Sequence, residues 1–137
     1  MVLSYIKFYS FVEAIAEKVH DFQNDQFMVA LSTVAPSQSN TQLSNLTQIA
    51  YTNLSSRILT LVTSGQTTGT YKLVLSPLTL SASGGSVAAF RYITIYNNSA
   101  TNKELVCFFD YGSSITLTDG DSTVIDISAA NGLFQIA

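Results

Sequence analysis

The stretch Ser86–Gly112, SVAAFRYITIYNNSATNKELVCFFDYG, constrains the fold more than any other part of this 137-residue chain. It holds two long apolar runs joined by Asn97-Asn98-Ser99-Ala100-Thr101-Asn102, residues that turn easily. In the first run Phe90, Tyr92, Thr94 and Tyr96 alternate with Arg91, Ile93 and Ile95, the period of two that a strand imposes. The second run, Glu104 to Tyr111, is nearly continuous in apolar residues and predicts a strand buried on both faces.

The remaining segments read as elements arranged around this pair. Residues 1–9 are apolar and extended, a candidate N-terminal arm. A helix is predicted over 10–22. Ser10 and Glu13 have the spacing of a capping box, Val12, Ile15, Ala16 and Val19 form an apolar stripe, and the helix should stop near His20. Gln26–Val34 reads as a strand ended by Pro36. Ser37–Asn45 is an uncharged polar loop, Leu46–Tyr51 a short strand or helical turn, and Ser56–Thr63 a strand. The Ser/Thr/Asn/Gln bias of 32–70 predicts that this region is mobile or ordered only by neighbours. Gly65–Gly69 reads as a turn, and Thr70–Ser81 as a long strand interrupted at Pro77 by a bulge or an edge position. Gly84-Gly85 is a hairpin signal; so is Asp119-Gly120, between Ile115–Leu117 and Thr123–Ile127. Asn131-Gly132 is a further turn before a last strand, Leu133–Ile136. Without helical crossovers the sheets should be antiparallel. The expected fold is mainly β: an antiparallel two-sheet sandwich or partly open barrel with one short N-terminal α-helix. It is a single domain over 1–137, with its β-core in 26–137.

Charge narrows the range of functions. Charged residues are 11% of the chain, against about 25% in an average soluble protein. Short polar side chains replace them, and these are easier to dehydrate in an assembly than Lys or Glu. From residue 26 to 102 there is no acid, and the only formal charges are Arg57, Lys72 and Arg91. Such asymmetry can let copies dock through complementary faces. Three scattered cations do not make a phosphate-binding stripe, so no nucleic-acid partner is expected. No uncharged apolar run approaches the length of a membrane span, and the N-terminus has no basic start or cleavage site of a signal peptide. Synthesis in the cytoplasm is expected, where the sequons at Asn45, Asn53 and Asn97 carry no meaning.

No motif for catalysis or a cofactor is present: no phosphate loop, dinucleotide fingerprint, H-E-x-x-H or G-x-S-x-G. Cys107 is the only cysteine and reads as a buried small hydrophobe; His20, the only histidine, lies far from it in sequence. Asp119, Asp121 and Asp126, with Asp110, could offer oxygen ligands to Ca²⁺, yet the spacing is that of turn chemistry. Asp110 and Asp126 are also the formal candidates for a glycosidase carboxylate pair, which the spacing does not support. The expectation is therefore a non-enzyme with no catalytic residues, cofactor or metal. The candidate interface residues are Tyr5, Phe8, Tyr9 and Phe11, an aromatic cluster ahead of the helix, together with Arg57, Arg91 and Tyr96. Tyr92, Tyr96 and Tyr111 could also stack on a sugar.

Three segments, TYKLVL (70–75), FRYITIYN followed by ATNKEL (90–105), and DYGSSITL followed by DGD (110–121), resemble a family of small proteins encoded among the structural genes of tailed bacteriophages. The resemblance runs along nearly the whole chain. It implies a virion component and, within that class, a capsid decoration (cement) protein: a small β-rich oligomer, often a trimer. Its partners would be the major capsid protein and copies of itself on the outer capsid surface. The alternative is a tail, neck or fibre-associated protein that binds a glycan or receptor through Tyr96 or Tyr111.

Overall fold

A computed structural model describes residues 4–127 and 132–137. The Ser86–Gly112 pair lies at its centre. β6 (Val87–Asn97) and β7 (Leu105–Leu117) run antiparallel, with Ile93 opposite Phe109 and Thr94 opposite Phe108. β1 (Ser4–Lys7) adds to the far side of β7 and β2 (Phe27–Ser32) to the far side of β6, giving the order β1-β7-β6-β2. A second layer is split in two. β3 (Leu61–Thr67), β4 (Thr70–Leu75) and β9 (Phe134–Ile136) form one sheet, and β5 (Leu78–Ser81) and β8 (Ser122–Ile125) the other. The described fold is mainly β and antiparallel with one α-helix, as the sequence predicts, but it has three sheets rather than two.

The middle of the four-stranded sheet is buried on both faces. Val29, Leu31, Ile93, Ile95 and Phe109 turn toward the second layer and join Leu73, Leu80 and Ile125 in the larger core. Ala30, Tyr96, Leu105 and Phe108 face the other way and pack with Phe8, Leu43 and Leu46. Strict alternation breaks at two points. Ile95 pairs with Cys107 but Tyr96 with Leu105, so Val106 is an extra residue and turns inward beside Cys107. Phe90 pairs with Ile115 and Tyr92 with Asp110, so β7 bulges around Gly112 and Phe90 joins Ile93 in the larger core, not Tyr92 on the opposite face.

The uncharged segment after β2 is ordered by the chain itself, contrary to the expected mobility. Leu43 N–H donates to Lys103 O at 3.0 Å, Leu105 N–H to Thr41 O at 3.1 Å, and Ile49 N–H to Leu31 O at 2.9 Å. Asn45 Oδ1 accepts the amides of Thr41 and Gln42, closing a 3-10 turn at Leu43–Asn45.

Several local readings change. The helix α1 is only Ser10–Ala16, with Tyr9 at its N-cap and no side-chain cap from Ser10. It ends in a Schellman motif: Val19 N–H bonds Ala14 O, Lys18 N–H bonds Ile15 O, and Lys18 takes the left-handed φ of 64° usually held by glycine. His20 is thus outside the helix. Residues 56–60 form no strand beyond an isolated bridge from Ile58 to Met28. Gly65 lies inside β3, and the turn is Thr68-Gly69. Pro77 does interrupt 70–81, and the two halves go to different sheets. Neither Gly84-Gly85 nor Asp119-Gly120 makes a hairpin. β5 pairs with β8, and the chain leaves β7 through the Asp119-Gly120 turn to reach the other layer. The Asn131 half of the last turn lies outside the described residues.

Thr68 and Gly69 both have positive φ, 52° and 85°, in the two-residue loop between paired Thr67 and Thr70. A β-branched residue is strained there, whereas asparagine is favoured. Thr68→Asn should stabilise the protein by about 0.5–1 kcal/mol in urea denaturation.

Candidate functional site: an apolar groove between two sheet edges

α1 lies between β1 and β9, both of which are edge strands. Its short sequence divides cleanly. Phe11 and Ala14 are buried, while Val12 points outward and is 54% exposed. Between the helix and the two edges runs a groove of about 370 Å³. Tyr5 and Lys7 line it from β1, Val12 and Ile15 from α1, and Phe134 and Ile136 from β9. Tyr5, Val12 and Ile136 are among the large hydrophobic side chains that the fold leaves exposed. An apolar lining flanked by open strand edges is the surface that proteins ordinarily cover or blunt.

A second hollow, about 410 Å³, continues past Ile15 and Ile136. Lys18, Asp21, Ser64 and Tyr71 make it more polar; Ser64 Oγ and Tyr71 Oη are 2.7 Å apart. The wall between groove and core is aromatic. Phe22 stacks on Phe27 with centroids 5.0 Å apart, and Phe134 meets Phe11 and Phe22 edge-on at 5.2 and 5.0 Å.

The candidate interface residues separate into surface and interior. Within the expected arm over 1–9, residues 4–9 are no free arm, and residues 1–3 lie outside the described residues. Residues 4–7 pair with Cys107–Asp110, Phe8 is fully buried against Phe108, and Phe11 is buried in the aromatic wall. Tyr5 and Tyr9 remain accessible, although Tyr9 N–H donates to Gln38 O at 3.0 Å. Tyr96 is buried with its hydroxyl on Met28 Sδ, so it cannot stack on a sugar; Tyr111 is half-buried. Arg57 braces its own chain: the guanidinium sits 3.7 Å over the Tyr51 ring and donates to Val29 O at 2.7 Å. Arg91 forms a two-pronged pair with Asp110 at 2.8 and 3.0 Å. That pair, with the Gly112 amide, holds the Asp110 carboxyl below its ordinary range.

The other singled-out groups have structural partners. Asp119 accepts the Gly84 amide, and Asp121 accepts the Thr118 amide and hydroxyl. Burial pushes the Cys107 thiol well above its usual value. His20 meets Asn97, not Cys107: Nδ1 is 3.1 Å from Asn97 Nδ2. Burial lowers the His20 pKa, partly offset by the charges of Glu104 and Asp25. Among the described residues no three metal-ligating side chains are placed to hold an ion, and no helix is long and apolar enough to cross a membrane. Comparison with protein-family models, with curated proteins and with solved structures found no match.

The groove was not visible in the sequence, because its two walls come from opposite ends of the chain. The one signal was the outward Val12, read there as part of the buried stripe. Since Phe8 fills the smaller core, Phe8→Ala should cost about 3–5 kcal/mol in chemical denaturation. Tyr9→Ala, one residue on, should stay within about 0.5 kcal/mol of the parent.

Proposed function

We propose that this chain is a structural protein of a tailed-bacteriophage virion, a capsid decoration (cement) protein without enzymatic activity. It binds the outer surface of the major capsid lattice, with copies of itself as further partners in a trimer. The observation that carries the reading is the apolar groove between β1, α1 and β9, whose lining holds one charged side chain, Lys7, and which lies beside two edge strands. The resemblance of 70–75, 90–105 and 110–121 to phage structural proteins supports it. So does the scarcity of charge, which keeps the desolvation cost of a large contact low.

The mechanism is interfacial. A stable contact of this kind buries about 1,200–2,000 Å² in total, more than the groove alone supplies, so the rims of β1 and β9 must take part. Tyr5, Val12 and Ile136 are the central contacts. Each copy bridges neighbouring capsid subunits and resists expansion of the shell by holding them at fixed spacing.

Two tests separate this role from others. The copy number in purified particles, measured against the major capsid protein by quantitative staining, should be one per capsid subunit or a simple fraction of it. A few copies per particle would place the chain in the tail or neck instead. Val12→Asp and Ile136→Arg change exposed side chains, so both variants should fold. Each should bind capsids at least about tenfold more weakly, equivalent to about 1.4 kcal/mol. Unchanged binding of both would remove the groove from the interface.

A further inference from the structure

The connection between α1 and β2, residues 17–26, is fastened to the end of the central pair by a buried polar cluster around His20 and, at Gln26 alone, by exposed hydrogen bonds to Asn98 and Ser99. His20 is 8% exposed and sits among three phenylalanine rings, those of Phe11, Phe22 and Phe27, with centroids 5.5–5.9 Å away. Asn97, at the end of β6, is fully buried. Its amide is oriented without reference to the histidine. Oδ1 accepts the amides of Ser99 and Ala100 at 2.9 and 3.2 Å, and Nδ2 donates to Asp25 Oδ2 at 2.7 Å. The second Nδ2 hydrogen is left to meet His20 Nδ1 at 3.1 Å. That ring nitrogen must therefore be an acceptor, which makes His20 neutral with its proton on Nε2. Nε2 has no hydrogen-bond partner, nor does the buried Glu104 Oε2.

We propose that His20 is a proton-operated latch: protonation of its ring releases residues 17–25 from Asn97, with Gln26 as the fixed end, and opens the aromatic wall of the groove. An imidazolium carries hydrogen on both nitrogens, so Nδ1–H would face Nδ2–H across the present contact. Asn97 cannot turn its oxygen to the ring without abandoning two backbone amides and Asp25. The charges that reach the ring are Asp25 from the same connection and Glu104 from the strand linkage, and both favour the cation. Lys18, Asp21 and Tyr71 line the adjoining hollow; α1 and β2 present only the rings of Phe11 and Phe27. Desolvation outweighs the two carboxylates, so the ring is harder to protonate in the folded chain than in the open one. The sign follows. The stability this site contributes is fully present above the unfolded value of about 6.5 and is lost as pH falls toward the folded one. When 17–25 leaves, Phe22 goes with it, and Phe27 and Phe134 lose their covering ring. The latch is independent of what the groove binds.

His20 is the only histidine, so its ¹⁵N imidazole signals are unambiguous. At pH 7 they should report Nδ1 bare and Nε2 protonated. Amide protection of residues 19–25, corrected for intrinsic exchange, should fall about tenfold per pH unit below 6.5 until the folded ring titrates. Leu78–Ser81 should keep its protection over that range, and His20→Gln should remove the pH step. A protonated Nδ1 at pH 7, a flat protection profile, or simultaneous loss in 19–25 and 78–81 would each overturn the latch. If the variant fails to fold, the tautomer and the parent titration decide.

Discussion

The structure depends on one hydrogen-bonded ladder, β6 against β7, whose middle is buried on both faces. Leu105 through Phe109 expose almost nothing on either side. A strand pair in that position needs two covers, because its apolar side chains point both ways. The split layer of β3-β4-β9 and β5-β8 supplies the first. The second is built from parts with little regular structure: Phe8 and Ile6 from the N-terminal segment, and Leu43 and Leu46 from the uncharged segment after β2. That segment is held by backbone bonds to Lys103, Leu31 and Leu105, so the cover is stitched to the ladder it protects.

That arrangement determines which surface is left over. Both faces of the middle of the large sheet are taken, and β2 is bridged by Ile58 at its outer edge. Among the strand edges that remain, those of β1 and β9 flank the outward side of the two-turn helix between them. The exposed Val12 and Ile136 are consequences of covering the ladder with short pieces: neither the helix nor β9 is long enough to shield the other. The proposed contact with a capsid lattice uses this remainder, and the buried His20–Asn97 cluster sits directly behind it.

Elements whose cause is local were legible in the sequence. The central pair followed from apolar alternation and continuity, β2 from its composition up to Pro36, and the break at Pro77 from the missing N–H of proline. The misreadings share a cause in tertiary geometry. Asp119-Gly120 has hairpin chemistry, but β8 finds its partner in β5 across the layer. Ser10 and Glu13 have capping-box spacing, yet the chain enters the helix one residue earlier, at Tyr9. The Ser/Thr/Asn run looked mobile because its composition carries no record of the carbonyls that Leu43 and Leu105 bond across the chain. The aromatic cluster at 5–11 was recognised, but nothing local tells that Phe8 faces Phe108 while Tyr9 faces water. His20 and Asn97 lie 77 residues apart, and no spacing could have joined them.

The central claim is that the second face of the ladder is closed by this chain alone. Amide exchange on the isolated protein at neutral pH measures it. The amides of Tyr9, Leu43 and Leu105 donate to Gln38, Lys103 and Thr41, so they should exchange nearly as slowly as that of Ile95 in the heart of β6. Exchange of Tyr9 and Leu43 at free-peptide rates, with Ile95 still protected, would contradict the claim, since the second cover would then have to come from a partner.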